Sequence, residues 1–110
     1  TIIALHKENM SFIVKSDSTP FTQADKISHS LITEALKKIT PNVPILSEES
    51  KNIPFSIRKD WDAYWLIDPL DGTRDFLDGT REFCISIAYI VNNYPVFGLI
   101  YAPFDKIHYY

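Results

Sequence analysis

One nine-residue string, DPLDGTRDF at positions 68–76, constrains the fold of this chain more than any other stretch. The apolar run from Ala63 to Ile67 leads directly into it and predicts a buried strand. Gly72 supplies the backbone freedom for a sharp turn at the end of that strand. Because such a turn can direct side chains to one side, we expect the carboxylates of Asp68 and Asp71 to lie together at the carboxyl end of the strand.

A second predicted strand also ends in carboxylates. Val43 to Leu46 is a short apolar run, and Ser47-Glu48-Glu49-Ser50 follows it. Glu48 is therefore a third candidate for the same site. Glu49 should point the other way, because successive side chains alternate along an extended chain.

One long amphipathic helix is predicted ahead of these strands. Apolar side chains recur at three- and four-residue steps from about Gln23 to Ile39, with Thr22 as the N-cap and Pro41 just beyond the end. The apolar face of this helix should cover a sheet. Asp25 lies three residues after the N-cap, so both a helix-capping role and a catalytic role are open for it.

The rest of the chain predicts an antiparallel sheet. Phe83 to Val91 and Val96 to Tyr101 are apolar runs joined by Asn92-Asn93-Tyr94-Pro95, a segment typical of a β-hairpin. Ile107 to Tyr110 begins a further strand, and Lys51 to Asp62 is a loop or a short helix. A helix layered on a mostly antiparallel sheet gives an α+β fold class.

The composition of the chain limits the kinds of partner and the cellular compartment that are expected for it. The chain has 110 residues, of which 45% are hydrophobic, and this suffices for the core of one globular unit. Its net charge is −3 and its basic residues do not cluster, so no nucleic-acid polymer is expected as a partner. Cys84 is the only cysteine, which excludes an internal disulfide and favours a reducing, cytoplasmic compartment. No apolar run is long enough for a transmembrane segment.

The residue types in the string favour a hard cation beside a phosphate. Carboxylate and carbonyl oxygens suit Mg²⁺, which makes Asp68, Asp71 and the Leu70 carbonyl candidate ligands. Gly72 and Thr73 would present backbone N–H groups, which favour a bound phosphate at a helix start. Thr73 and an acidic neighbour would orient the attacking water.

Three other phosphate chemistries do not fit. A cysteine phosphatase has an arginine six residues after its nucleophile, and Ile90 occupies that position after Cys84. A phosphoaspartate enzyme has its aspartates two apart, whereas Asp68 and Asp71 are three apart. No glycine-rich loop ending in lysine and serine or threonine is present. His29, like the other histidines, shows no metal-ligand spacing and is expected to be structural or exposed.

Together these motifs resemble the inositol monophosphatase superfamily, and more narrowly its 3'(2'),5'-bisphosphate nucleotidase branch of the CysQ type. Arg74-Asp75-Phe76 resembles the basic-acidic-Phe pattern of the nucleotidases, where inositol monophosphatases tend to carry threonine and asparagine. The landmarks follow the family order: KSDSTPFTQAD at 15–25, LSEES at 46–50, YWLIDPLDGTRDF at 64–76, REFCISIAYI at 81–90 and PVFGLIYAP at 95–103.

The resemblance implies a role for each candidate residue. Two or three Mg²⁺ ions would be bound by the side chains of Glu48, Asp68 and Asp71 and by the carbonyl of Leu70. The substrate phosphate would be held by Asp71, Gly72 and Thr73. The attacking water would be activated by Thr73 together with Glu48 or Asp25.

The resemblance also implies a layered αβαβα sandwich, related to that of fructose-1,6-bisphosphatase. Residues 1–110 would be the amino-terminal, metal-binding part of one catalytic unit, and without the carboxyl-terminal half this part should be inactive. The chain's lack of an initiator methionine agrees with this expectation of a fragment.

A small phosphorylated nucleotide is the substrate that the resemblance implies. Adenosine 3',5'-bisphosphate would be hydrolysed to AMP and phosphate, in support of sulfur assimilation and with sensitivity to lithium. An inositol monophosphatase or another sugar-phosphate phosphatase is the alternative within enzymes, and a non-catalytic metal- or phosphate-binding domain is the alternative from another class. The protein is expected in the cytoplasm, with peripheral contact to the inner membrane as an option, and its oligomeric state is not predicted.

Overall fold

The structure is a computed structural model that describes residues 23–50 and 52–110. In this part of the chain three helices and five strands follow one another along the sequence. The predicted N-cap Thr22 and residues 15–22 of the first family-like string lie outside the described residues.

The first helix, α1, runs from Gln23 to Ile39, as the spacing of apolar residues predicts. Ser28 and Leu36 lie on its buried face, eight residues apart on one helical stripe. The Leu36 carbonyl accepts the Thr40 N–H at 2.8 Å in the last turn. Pro41 follows and cannot continue the helix because it has no N–H to donate.

One sheet and two short helices make up the rest of the described chain. Their bounds are β1 (Ile45–Ser47), α2 (Phe55–Arg58), β2 (Ala63–Asp71), α3 (Thr73–Leu77), β3 (Cys84–Val91), β4 (Tyr94–Ala102) and β5 (Ile107–Tyr109). The strands lie side by side in chain order. Strand β1 is parallel to β2 and the other neighbours are antiparallel, so the predicted mostly antiparallel sheet is confirmed.

The hairpin between β3 and β4 turns on two residues rather than four. Asn92 and Asn93 have φ values of 49° and 66°, the left-handed values of a type I′ turn, which asparagine tolerates. Tyr94 and Pro95 already pair with β3. The predicted strand start at Val96 is therefore wrong by two residues. A proline is accommodated in β4 because the pairing is irregular at that point.

The core lies beneath the DPLDGTRDF string itself. Ala24 of α1 joins Leu70, Phe76 and Phe83 in one buried cluster, and Phe104 packs against it. The Phe83 ring meets the other two rings edge to face, with centroid separations of 5.1 and 5.7 Å. Such pairs stabilise by roughly 0.5–1.5 kcal/mol each beyond their burial. The core thus fixes the backbone that carries the candidate site.

Candidate metal and phosphate site

Two carboxylates meet at the edge of the sheet where the parallel strands β1 and β2 run side by side. Ser47 pairs with Ile67, and the Glu48 N–H donates to the Ile67 carbonyl at 3.2 Å. The next residues, Glu48 and Asp68, therefore lie at the same edge, and the charge of Glu48 contributes to the raised pKa of Asp68. The structure thus brings together two of the predicted metal ligands.

A β-bulge in β2 decides where Asp71 lies. Asp68 pairs with Ser86 and Asp71 pairs with Cys84, so three steps along β2 match two steps along β3. Residues three apart on a regular strand face opposite sides of the sheet, and the extra residue of a bulge restores a common side. The Cys84 sulfur lies 3.9 Å from both the Asp71 carboxylate and the Ser86 hydroxyl. The sequence predicts that β2 ends at Ile67 with a turn after it, whereas the strand continues and the bulge aligns the two aspartates.

Leu70, between the two aspartates, anchors the bulge in the core. Its side chain is buried, whereas that of Asp71 is exposed. The Leu70 N–H donates to the Asp68 carboxylate at 3.2 Å, and its carbonyl accepts the Thr73 hydroxyl at 3.1 Å. Because a carbonyl oxygen has two lone pairs, this contact leaves capacity for a metal ion. The role of Leu70 as a ligand stays a prediction.

Gly72 links β2 to α3 in a conformation that few other residues adopt. Its φ is +86°, and its carbonyl accepts the Phe76 N–H at 2.9 Å as α3 begins. A Cβ at this position would lie 2.7 Å from the Glu82 carbonyl oxygen and 3.3 Å from the Phe83 Cα. A helix start after Gly72 is therefore confirmed, and phosphate binding by Gly72 and Thr73 stays a prediction.

The hydroxyl of Thr73 lies between the Leu70 carbonyl and the Asp25 carboxylate. The oxygen–oxygen distances are 3.1 and 3.5 Å. Asp25 lies in the first turn of α1 and is buried. The fold thus brings together two of the three candidate catalytic residues, which are 48 positions apart in sequence.

Glu49 is affected by the charges of Asp25 and Asp68, although the sequence predicts that it points away. Its burial, followed by the negative charges of Asp25 and Asp68, raises the pKa of Glu49. Strand β1 ends at Ser47 and residues 48–50 form a turn, so the alternation of an extended chain does not apply to them. Glu49 is therefore a further candidate residue of the site, which the sequence alone does not indicate.

The neighbouring carboxylate of Glu48 affects the protonation of Asp68. Burial, and then the charge of Glu48 and the hydrogen bond with it, raise the pKa of Asp68 to about 6. The hydrogen bond from the Leu70 N–H acts in the opposite direction. Because like charges repel, it is energetically unfavourable for two neighbouring carboxylates to be ionised together unless a cation lies between or beside them.

The donor chemistry of this pair fits Mg²⁺. Among residues 23–50 and 52–110, no three His, Cys, Asp or Glu side chains lie close enough to enclose an ion on their own. Glu48, Asp68 and the Leu70 carbonyl nevertheless offer only oxygen donors, which hard cations prefer. Mg²⁺ usually completes its shell with water and substrate phosphate, so one or two protein carboxylates suffice for each ion.

Two consecutive residues of α1 hold the strand ends that bear the carboxylates. The buried Ser28 hydroxyl donates to the Pro69 carbonyl at 2.7 Å. His29 Nδ1 lies 2.8 Å from the Ser47 hydroxyl, which accepts the Glu49 N–H at 3.3 Å. Sequence reasoning assigns His29 no specific contact, because a partner 18 positions away leaves no local pattern.

The candidate site borders two open grooves. Glu48, Asp68 and Ser86 line one of about 860 Å³ over an otherwise largely apolar face of the sheet. Asp71 and Gly72 line a second of about 570 Å³. Both volumes fall in the range of small-molecule sites.

Solved structures of other proteins define the fold class of the chain. The extragenic suppressor protein suhB of Bartonella henselae is 31% identical with a TM-score of 0.82, and the match covers 97% of this chain and 41% of that one. CysQ of Bacteroides thetaiotaomicron, a bacterial member of the inositol monophosphatase family, is 37% identical with a TM-score of 0.81, covering 96% of this chain and 38% of that one. The predicted inositol monophosphatase fold is confirmed.

The family model agrees with the fold. The chain matches the inositol monophosphatase family over residues 3–110 and belongs to that family, as its motifs predict. The 3'(2'),5'-bisphosphate nucleotidase CysQ of Salmonella typhimurium is 44% identical over 101 residues, which are 92% of this chain and 41% of that protein. The chain thus spans about two fifths of the length of the curated relatives it matches. Within the described residues, no helix has the length and apolar character needed to cross a membrane.

Proposed function

We propose that this chain is the amino-terminal, metal-binding part of a Mg²⁺-dependent phosphomonoesterase, and that the whole enzyme is a 3'(2'),5'-bisphosphate nucleotidase. Its reaction would convert adenosine 3',5'-bisphosphate to AMP and phosphate. The observation that carries the proposal is that the parallel pairing of β1 and β2 brings Glu48 and Asp68 to the same edge of the sheet. The similarity to CysQ nucleotidases supports the choice of substrate.

The proposed metal ligands are the carboxylates of Glu48, Asp68 and Asp71 and the carbonyl of Leu70. Two or three ions would be held, with further ligands and most substrate contacts supplied by the part of the enzyme that follows this chain. When bound, Mg²⁺ would neutralise phosphoryl oxygens and lower the pKa of a water molecule. An IMPase/NADP phosphatase of the same fold, 22% identical to this chain, has been solved with Mg²⁺ and phosphate.

Gly72 and Thr73 would hold the substrate phosphate through their backbone N–H groups, beside Asp71. The positive φ of Gly72 supports this role, because it lets the backbone turn from β2 into the start of α3, where free N–H groups favour a phosphate. The short helix α3 then leads away from this point into the core through Phe76.

Thr73 would orient the attacking water. Its hydroxyl has one proton, and the Asp25 carboxylate is one of the two acceptors within reach. When that proton is donated to Asp25, the Thr73 oxygen keeps lone pairs for a hydrogen bond from water. Asp25 would then take up a proton relayed from the water through Thr73, with Glu48 as the second candidate base.

An inositol monophosphatase or another sugar-phosphate phosphatase is the second candidate function. It is favoured by the match to the family model, which spans residues 3–110 and covers the inositol phosphatases by name. The same carboxylates and the same threonine would serve either substrate.

The test is phosphate release by the full-length protein that contains this chain. Release from adenosine 3',5'-bisphosphate and from inositol 1-phosphate is measured for the wild type with Mg²⁺ and with a chelator, and for the Asp71→Asn variant with Mg²⁺. Asp78→Asn is the matched control, because Asp78 is an exposed aspartate at the C-cap of α3. We expect Mg²⁺-dependent release that favours the bisphosphate, that is lost in Asp71→Asn and that is kept in Asp78→Asn.

Preference for the inositol ester would move the assignment to the second candidate. Release from neither substrate, or release that is unaffected by the chelator, would overturn the proposed chemistry. Equal loss in both variants would remove the specific role of Asp71.

A further inference from the structure

We infer that His29 is a positioning residue which, through Ser47, fixes Glu48 relative to Asp68 and thereby sets the affinity for Mg²⁺. The inference rests on the proposed function, since it takes these two carboxylates as metal ligands. It concerns a contact of α1 with β1 that is separate from the carboxylates themselves.

A short chain of hydrogen bonds connects the helix to the turn that carries Glu48. The Glu49 N–H donates to the Ser47 hydroxyl oxygen at 3.3 Å, and that oxygen lies 2.8 Å from His29 Nδ1. Ser47 is buried, so its own hydroxyl proton needs an acceptor within the protein. When His29 carries its proton on Nε2, its Nδ1 provides that acceptor. The hydroxyl of Ser47 then donates once and accepts once.

This arrangement restricts the part of the chain that matters for the metal. Ser47 is the last residue of β1, and the two glutamates follow it directly in the turn. Because the serine hydroxyl holds both the imidazole and the Glu49 N–H, the turn is tied to the helix on both sides of Glu48. Without the imidazole, a buried hydroxyl would seek another partner and the turn would be free to shift.

The neighbouring residue on α1 holds the other strand. Ser28 donates to the Pro69 carbonyl at 2.7 Å, inside the bulge that carries the aspartates. Consecutive residues of one rigid helix therefore hold both strand ends. The separation of Glu48 from Asp68 is set by this common support as well as by the sheet.

Residues that orient metal ligands without touching the metal typically contribute 10- to 100-fold to affinity. We therefore expect His29→Leu, which removes the acceptor, to weaken Mg²⁺ binding about tenfold. His29→Asn keeps an acceptor close to the position of Nδ1 and should restore most of the affinity. Ser47→Ala removes the other partner and should resemble His29→Leu.

The measurement is calorimetric titration of Mg²⁺ into the metal-stripped full-length protein, with the Mg²⁺ concentration at half-maximal phosphate release as a second readout. Thr33→Ala is the control, because the Thr33 hydroxyl bonds the backbone carbonyls of His29 and Ser30 within α1. The double variant of His29→Leu and Ser47→Ala completes a double-mutant cycle. We expect the double variant to bind Mg²⁺ no more weakly than the weaker of the two single variants.

Each outcome separates the two proposals. A wild-type protein that neither binds Mg²⁺ nor releases phosphate overturns the proposed function and this inference with it. A wild-type protein that does both, while His29→Leu and Ser47→Ala bind Mg²⁺ as tightly, overturns the inference alone. An equal loss in Thr33→Ala, or additive losses in the double variant, also overturns it. If His29→Leu does not fold, Ser47→Ala and His29→Asn decide in the same way.

Discussion

Replacing Gly72 by alanine should destabilise the protein severely, although it adds one methyl group. The φ of +86° costs an L-residue about 1–2 kcal/mol. The new Cβ would also lie 2.7 Å from the backbone oxygen of Glu82, which is shorter than any ordinary contact. Relieving such crowding in a packed region costs about 1–3 kcal/mol. Alanine also lowers the conformational entropy of the unfolded chain, which offsets about 0.5–1 kcal/mol of this loss. We expect a net loss of about 1–4.5 kcal/mol from these terms.

Gly98 provides the matched control for this substitution. It lies in β4 with an ordinary φ, and a methyl group added to its Cα would meet no heavy atom within 4 Å. Gly98→Ala should therefore leave stability unchanged or raise it by about 0.5 kcal/mol. Gly72→Asn separates the two causes at the first site, because asparagine tolerates a positive φ but keeps the crowded Cβ.

The assay is denaturant unfolding of the full-length protein in the presence of a chelator, so that loss of metal binding cannot contribute. A Gly72→Ala variant within about 0.5 kcal/mol of the wild type would refute the argument, since that is the ordinary range for a neutral surface change. Equal destabilisation by Gly98→Ala would refute it as well. A Gly72→Asn variant as stable as the wild type would assign the whole effect to φ.

Asp68, Thr73 and Lys106 each give a further prediction. The raised pKa of Asp68 means that the folded state binds this proton more tightly than the unfolded state; the associated stability is complete below about pH 4 and is lost as pH rises through about 6. In the presence of a chelator, the unfolding free energy of Asp68→Asn relative to the wild type should therefore rise by about 1 kcal/mol between pH 4 and pH 8, a value that is reduced to allow for solvent screening. A pH-independent difference in unfolding free energy between the two proteins would contradict this prediction. Thr73→Ala should lower kcat at least about 100-fold while Thr73→Ser keeps most activity, and equal rates in the two variants would exclude a role for the hydroxyl. Lys106 has a φ of 53°, so Lys106→Gly should raise the unfolding free energy by about 0.5 kcal/mol, measured by thermal unfolding. A clear decrease in stability would show instead that the Lys106 side chain stabilises the turn.

Periodicity predicts α1 to the residue because a helix is built from contacts three and four positions apart. The presence of the hairpin and the first residues of β2 are also predictable from local signals, a turn-forming segment and a short apolar run, although the start of β4 is wrong by two residues. The end of β2 is not, because the bulge depends on how Asp68 and Asp71 pair with a strand that comes later in the chain. The residue types identify these aspartates as candidates, but the sequence predicts that a turn, rather than a bulge, places them on one side.

What the sequence does not reveal at the site depends on distant contacts in the same way. The sequence predicts that Glu49 points away because it treats the residues after the strand as extended, whereas residues 48–50 form a turn. It predicts that His29 is structural or exposed, and the contact of His29 with Ser47 arises only when α1 is placed on the sheet. Candidate ligands are therefore readable from sequence, whereas the residues that orient them depend on tertiary packing.

The bulge also limits how such a site can change or be transferred. A single deletion between Asp68 and Asp71 would give a regular strand of ordinary appearance, with the aspartates two apart and again on one side. The residue lost, however, would be Pro69 or Leu70, and with Leu70 would go the anchor in the core and the carbonyl between the carboxylates. Grafting two aspartates at this spacing onto a regular strand would fail for the opposite reason, since they would face away from each other. Transfer to another scaffold therefore requires the partner strand with its offset pairing, together with the aromatic cluster that supports it.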